Sequence, residues 1–150
     1  MIDLAHLDRY RENNRLEAKR AIGGLPVSIW ETYSAFCNAQ GGVILLGVEE
    51  YRDRSLHPVD LPDPSGILQD FWTGLNDRDW VSANVLRDED VREVVLEGKH
   101  IIVITVPPAG EDCYPVYIGG DPMKGTYYRS GEGDFRCSPE IVERMLTGRR

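Results

Sequence analysis

The chain has few side chains that could hold a metal ion through sulfur or nitrogen. It contains three cysteines and three histidines among 150 residues. Cys37, Cys113 and Cys137 are far apart, and no Cys-x-x-Cys pair is present. An odd number of scattered cysteines is typical of a reducing cytoplasm, and it argues against a disulfide framework or a structural zinc site.

Long apolar runs and nucleotide-binding motifs are also absent. No apolar run approaches the roughly 20 residues that a membrane-spanning helix needs, and the charged N-terminus lacks the apolar centre of a signal peptide. Neither G-x-G-x-x-G nor G-x-x-x-x-G-K-[ST] occurs, so Gly41-Gly42 is predicted to be a structural turn. We therefore expect a cytoplasmic protein with no membrane partner.

Positive charge is in deficit, because the formal net charge is −8. By itself this charge counts against nucleic-acid binding. The acidic excess lies in residues 41–112, with fifteen acidic and six basic side chains, whereas residues 1–40 carry five of each and residues 113–150 carry five acidic and six basic. The two ends could therefore form a neutral or basic face, while the middle charges are typical of a solubilising surface.

The most regular stretch, residues 28–50, predicts a helix, a glycine turn and a buried strand. Ser28 and Glu31 have the spacing of a capping box, and apolar residues follow at helical spacing. Gly41-Gly42 would end the helix, since glycine adopts the left-handed conformation easily. Residues 43–48 are apolar on both faces, which indicates a central strand.

The rest of the chain predicts a mixture of helices and strands. Residues 14–20 fit either an extended segment or a helical turn. Helices are expected near Leu4, over residues 66–76 and after Ser138, which would cap the last helix with Pro139 in its first turn. Strands are expected over residues 80–86, 91–97, 100–106 and 126–129, with residues 100–106 beside residues 43–48.

These elements predict one α+β domain over residues 1–150, with a mixed β-sheet and a few flanking helices. The last residues, Gly148-Arg149-Arg150, follow the final helix directly and resemble the start of a linker. We therefore expect the domain to be a module of a longer protein.

Acidic residues occur at two places where their spacing could create a site. Glu12 and Glu17 are five residues apart, and Glu49 and Glu50 follow the predicted buried strand. Converging carboxylates would bind Mg²⁺ or Mn²⁺, since hard cations prefer oxygen ligands, and such an ion can activate water for attack on a phosphodiester. Solvated surface acids are the alternative that the spacing leaves open.

Basic residues lie near both ends of the chain. Guanidinium groups pair with phosphates, and an aromatic ring such as Tyr127 or Tyr128 can stack on a base. A charged surface with tyrosines in the core is the alternative. The candidate nucleic-acid contacts are Arg11, Arg15, Lys19, Arg129 and Arg136.

Five motifs occur in order along nearly the whole chain. They are E-N-N-R-L-E-A-K (12–19), S-A-F-C-N-A-Q-G-G-V-I-L-L-G-V-E-E (34–50), P-V-Y (115–117), G-T-Y-Y-R-S-G (125–131) and S-P-E-I (138–141). Together they resemble the Schlafen AlbA-type domain, which is usually described as DNA-binding. The resemblance implies an α+β domain with a mixed sheet, often the N-terminal module of bacterial transcriptional regulators or divergent ATPase-like proteins.

The resemblance also implies candidate catalytic residues. In the animal Schlafen branch a related core is an endoribonuclease, with two glutamates five residues apart and an acid after a Gly-Val step. By motif position these are Glu12, Glu17 and either Glu49 or Glu50. Glutamate stands here where that branch has aspartate, and the zinc-binding Cys/His set of that branch is not found.

Three functions remain open at this point. The first is a nucleic-acid-binding module, as in a DNA-binding transcriptional regulator, whose partner is DNA or RNA. The second is an endoribonuclease that uses Glu12, Glu17 and Glu50 for catalysis, with Mg²⁺ or Mn²⁺ held by these residues and Glu49. The third is a protein-interaction or homo-oligomerisation module, which the net charge of −8 favours. We prefer the first.

Overall fold

The computed structural model describes residues 2–148, so Arg149 and Arg150 of the predicted linker lie outside the described residues. Within this part of the chain no helix is long and apolar enough to cross a membrane. The helices are α1 (Ile29–Asn38), α2 (Pro64–Leu75), α3 (Pro122–Gly125) and α4 (Pro139–Gly148), with 3-10 helices at Leu4–Arg9 and Asp88–Asp90. The strands are β1 (Leu16–Lys19), β2 (Gly42–Leu46), β3 (Val48–Glu50), β4 (Leu56–Pro58), β5 (Val91–Leu96), β6 (Lys99–Val106), β7 (Tyr127–Ser130) and β8 (Gly133–Arg136).

The main sheet is mixed and has the strand order β1-β2-β6-β5. The strand β1 runs parallel to β2, whereas β6 is antiparallel to both β2 and β5. The predicted neighbours are confirmed, since Ile44 of β2 lies opposite Ile104 of β6. The strands β3 and β4, and likewise β7 and β8, form separate antiparallel hairpins. The α+β prediction with a mixed sheet is therefore confirmed.

The two central strands of the main sheet, β2 and β6, are buried on both faces. One face packs against α1 and α2 and contains Ile44, Leu46 and Ile102. The other face contains Leu45 and packs against the 3-10 helix at Leu4–Arg9 and against the β3–β4 hairpin. This double burial explains why residues 43–46 of β2 and residues 101–104 of β6 are all apolar.

Gly47 divides the single strand that the sequence predicts over residues 43–48. Its φ of 84° lies in the left-handed region, where residues with a side chain are strained. A Cβ added at this position would lie 2.8 Å from Leu61 Cγ. The chain therefore leaves the main sheet here and continues as β3, which carries Glu50 out to the end of a hairpin.

The strand predicted over residues 80–86 is wrong, because its backbone groups bond to loop segments and to side chains, and no strand runs beside it. Only Val81 forms an isolated bridge, with Ile118. The hydroxyl of Tyr33 donates to the Ala83 carbonyl at 2.8 Å and accepts from the Val85 N–H at 3.0 Å. Apolar alternation predicts an extended backbone but not whether a second strand lies beside it.

The two predicted helix caps, at the starts of α1 and α4, have different outcomes. The capping box at Ser28 is wrong: its side chain forms no cap hydrogen bond, and its Oγ accepts from Lys19 Nζ at 3.0 Å. The cap of α4 is confirmed, since the Ile141 N–H donates to Ser138 Oγ at 3.4 Å.

At residues 14–20 the extended alternative is correct, because this segment contains β1.

Candidate functional site

The candidate site lies along the outer edge of β1, which is an edge strand of the main sheet. Two side chains bind backbone groups that face away from β2. The Ala18 N–H donates to Glu12 Oε2 at 2.9 Å, and Arg129 Nη2 donates to the Leu16 carbonyl at 3.1 Å. The two side chains thus form hydrogen bonds to backbone groups of an edge strand that could otherwise pair with a strand of another protein.

Glu12, Glu17 and Glu50 are electrostatic neighbours at this edge. Burial, together with the nearby carboxylates of Glu17 and Glu50, raises the pKa of Glu12 to about 7, against the lowering effect of the Ala18 N–H. The three acids that motif position assigns to catalysis therefore lie close enough for the charges of Glu17 and Glu50 to act on Glu12.

Glu49 and Glu50 have different surroundings although they are adjacent. In the β3–β4 hairpin Glu49 lies opposite His57 and Glu50 lies opposite Leu56, and successive side chains of a strand face opposite sides. Glu49 Oε1 is 3.4 Å from Arg20 Nε. Of the two, Glu50 is the acid whose charge acts on Glu12.

The carboxylates do not form a ready-made divalent-cation site. Glu17 Oε1 is 2.9 Å from Arg129 Nη1, and its Oε2 is 3.8 Å from Lys19 Nζ. In residues 2–148 no group of three or more His, Cys, Asp or Glu side chains is arranged to hold a metal ion. Protein cations neutralise Glu17 where a metal would bind, so metal ligation by Glu12, Glu17, Glu49 and Glu50 stays a prediction.

Arg129 has a structural position, which corrects its predicted role as a phosphate contact. Its side chain is fully buried, and it donates to the carbonyl oxygens of Asn13 and Leu16. Its Nη1 also bonds Asp134 Oδ1 at 2.7 Å, and its guanidinium lies 4.9 Å from the centroid of the Phe36 ring. Alternation along β7 predicts that one face of the hairpin is buried, but not that Arg129 lies on it.

The other predicted phosphate contacts divide into exposed and buried side chains. Arg11, Arg15 and Arg136 are exposed. The Lys19 side chain is only 11% exposed, and its Nζ bonds Ser28 Oγ, so it is also poorly placed to reach a phosphate. The sequence prediction missed Arg52, which is exposed in the β3–β4 loop two residues after Glu50.

An ion pair joins the two hairpins that flank the site. Arg54 Nη1, in the β3–β4 loop, donates to both carboxylate oxygens of Glu132, in the β7–β8 turn, at 2.7 and 2.9 Å. The pKa of Arg54 is raised by Glu132 and, to a smaller extent, by Glu50 and Glu12. The two hairpin ends therefore meet beside the β1 edge, and we call the region that holds Glu12, Glu17 and Glu50 the β1 cleft.

Replacing Glu12 by glutamine is expected to stabilise the protein at about pH 8. In the unfolded chain this carboxyl group ionises near 4.5, but in the folded protein it ionises near 7. Between these values the folded state binds more protons, so the free energy of unfolding falls as the pH rises from 4.5 to 7. Because the group is partly exposed, we expect a fall of about 1–2 kcal/mol.

Urea unfolding of the wild type and of Glu12→Gln at about pH 5 and pH 8 measures this effect. Glu49→Gln is the matched control, since Glu49 pairs with the exposed Arg20, and it should keep the wild-type pH dependence. A fall that persists in Glu12→Gln would show that another group is responsible.

The fold and the β1 cleft define a small α+β domain whose acids and cations meet at one sheet edge. The sequence model of the family described as Schlafen, AlbA_2 matches residues 12–138. The chain therefore belongs to the Schlafen AlbA_2 family, which confirms the resemblance in its motifs.

Solved structures that are similar to this chain include the following two. One is the solution structure of the N-terminal domain of a Nitrosomonas europaea protein described as related to the ATP-dependent DNA helicase RecG. It has 30% sequence identity and a TM-score of 0.66, and the match covers 89% of this chain and 90% of that one. The other is a crystal structure of a Corynebacterium diphtheriae protein, with 17% identity, a TM-score of 0.49 and coverage of 82% and 21%. No curated protein matches the chain.

Proposed function

We propose that this domain binds nucleic acid, DNA or RNA, through the β1 cleft and the arginines around it. The observation that carries the proposal is the 30% identity over 89% of the chain to the N-terminal domain of a protein related to a DNA helicase. Membership of the Schlafen AlbA_2 family supports it. We extend this proposal to a more specific function, that of a DNA-binding module in a cytoplasmic bacterial transcriptional regulator.

Exposed arginines would supply the phosphate contacts. Arg11 and Arg15 flank Glu12 in the chain, Arg52 lies in the β3–β4 loop, and Arg136 lies in β8. Such contacts release counterions from the nucleic acid, so the affinity should fall steeply with salt concentration. The net charge of −8 opposes binding at long range, so these local arginine contacts would have to outweigh it.

Replacing Arg11 and Arg15 together by glutamine is expected to weaken binding to every nucleic-acid sequence and to reduce the salt dependence. Each lost phosphate contact should lower the slope of log affinity against log salt by about 1. Fluorescence anisotropy with labelled single-stranded and duplex DNA and RNA, titrated at several salt concentrations, measures both quantities.

The matched control is Arg92→Gln. Arg92 is exposed on β5, at the opposite edge of the main sheet, so this variant should bind as the wild type does. If the wild type binds no DNA or RNA at low salt, the proposed function is wrong. Light scattering after size exclusion would then test the protein-interaction or homo-oligomer alternative.

A second candidate function is endoribonuclease activity, because Glu12, Glu17 and Glu50 share one electrostatic environment. A divalent cation at Glu17 would have to compete with Arg129 and Lys19. The test is cleavage of tRNA with Mn²⁺ present, in the wild type, Glu17→Ala and the control Glu93→Ala, which removes an exposed acid on β5 at the opposite edge of the main sheet. Cleavage that survives both Glu17→Ala and EDTA would refute the assignment, as would the absence of cleavage by the wild type.

A further inference from the structure

An exposed tyrosine is stacked on a histidine at the end of the β3–β4 hairpin. The rings of Tyr51 and His57 have centroids 3.6 Å apart and an interplanar angle of 20°. Tyr51 is 49% exposed and belongs to neither large core cluster. It directly follows Glu50 in the chain, and both residues line the same surface hollow.

Hydrogen bonds hold the imidazole ring of His57 in place. His57 Nε2 is 2.6 Å from Ser55 Oγ, and Ser55 is bonded through its N–H and its hydroxyl to Asp53 Oδ1. Ser55 is buried, at 6% exposed, so this group of three residues does not present an accessible nucleophile. These hydrogen bonds fix the orientation of the His57 imidazole. Stacking on the imidazole in turn holds the Tyr51 ring in place as a flat surface.

An exposed arginine that could contact a phosphate lies next to this surface. Arg52 follows Tyr51 directly in the chain, whereas Arg54 of the same loop is paired with Glu132. The hydrogen bonds from Ser55 lower the pKa of Asp53, and the guanidinium of Arg11 lowers it further, which places Arg11 near the loop as well. A flat ring beside arginines is suited to a nucleotide, whose base stacks while its phosphate pairs with a cation.

We propose that Tyr51, backed by His57, stacks on an unpaired base, so that the nucleic acid at the β1 cleft is single-stranded. This inference rests on the proposed function, because it names the form of nucleic acid that the same site accepts. In a duplex both faces of an interior base are covered by its neighbours, whereas an unpaired base can expose one face to an aromatic side chain. Both single-stranded DNA and single-stranded RNA offer this chemistry.

Tyr51→Leu tests the inference directly. We expect it to weaken binding to short single-stranded oligonucleotides by about tenfold or more, while Tyr51→Phe, which keeps the ring, stays close to the wild type. Anisotropy is measured on single-stranded DNA, single-stranded RNA and the corresponding duplexes. A second measurement uses a single strand that contains 2-aminopurine, whose fluorescence is quenched on stacking, and this quenching should disappear in Tyr51→Leu.

Trp80→Leu is the matched control. Trp80 is an exposed aromatic residue that follows α2, and its loss should change neither affinity nor quenching. Wild-type affinity and quenching in Tyr51→Leu would overturn the inference and leave the proposed function standing, as would a wild type that binds only duplexes. A wild type that binds no nucleic acid would overturn both.

Discussion

Replacing Arg129 by methionine is expected to lower the free energy of unfolding by about 3–5 kcal/mol, the usual cost of removing one partner from a buried ion pair. Methionine fills much of the same space but donates no hydrogen bond. The carbonyl oxygens of Asn13 and Leu16 and the carboxylates of Glu17 and Asp134 would all lose their bond to the guanidinium. The effect should be large because the side chain is fully buried.

Chemical denaturation followed by tryptophan fluorescence measures this loss. The matched control is Arg136→Met in the same hairpin, where the side chain is exposed and the change should stay within about 0.5 kcal/mol. Arg129→Lys should recover little, because a single ammonium group cannot reach acceptors on both sides of a planar guanidinium. A loss below about 1 kcal/mol in Arg129→Met would contradict a buried, fully bonded side chain.

This expectation changes how binding experiments should be interpreted. Arg129 joins the β1 edge to the β7–β8 hairpin and neutralises Glu17. An Arg129 variant that loses nucleic-acid binding would therefore report a damaged cleft rather than a lost phosphate contact. Arg11 and Arg15 are exposed and give the cleaner test of the electrostatic term.

The central part of the fold could be predicted from the sequence because its signals are local. The apolar face of α1, the left-handed Gly41 and the doubly apolar β2 and β6 each follow from spacing within one segment. The Ser138 cap of α4 is equally local. The capping box at Ser28 failed because Lys19, nine residues earlier, takes the serine hydroxyl instead.

The candidate site could be predicted only in part, because its chemistry depends on contacts between distant segments. The spacing of Glu12 and Glu17 and the acid after Gly47-Val48 indicated that three carboxylates could meet, and the pKa of Glu12 shows that they influence one another. The neutralisation of Glu17 by Arg129 joins residues that are 112 positions apart and leaves no local pattern.

Asn38→Leu is expected to be the second strongly destabilising substitution, with a loss of about 3–4 kcal/mol, since the Val116 N–H and the Tyr127 carbonyl lose their bond to the amide together and the Val116 carbonyl keeps only its bond from Ser34 Oγ. Asn38 is 2% exposed at the end of α1. Its Nδ2 donates to the carbonyl oxygens of Val116 at 2.9 Å and Tyr127 at 2.8 Å, and its Oδ1 accepts from the Val116 N–H at 2.8 Å. One amide therefore holds two separate segments against α1.

The matched control for Asn38 is Gln40→Leu, since Gln40 is an exposed amide two residues further along the chain and should change the free energy of unfolding by no more than about 0.5 kcal/mol. The same denaturation measurement applies to both variants. Asn38→Asp adds a sharper test, because it keeps an oxygen for the Val116 N–H but replaces the donor to the Val116 and Tyr127 carbonyls. It should be destabilising as well, whereas near wild-type stability would show that the donor bonds contribute little. Because Tyr127 begins β7, which carries Arg129, weakening Asn38 should also loosen the hairpin that closes the β1 cleft.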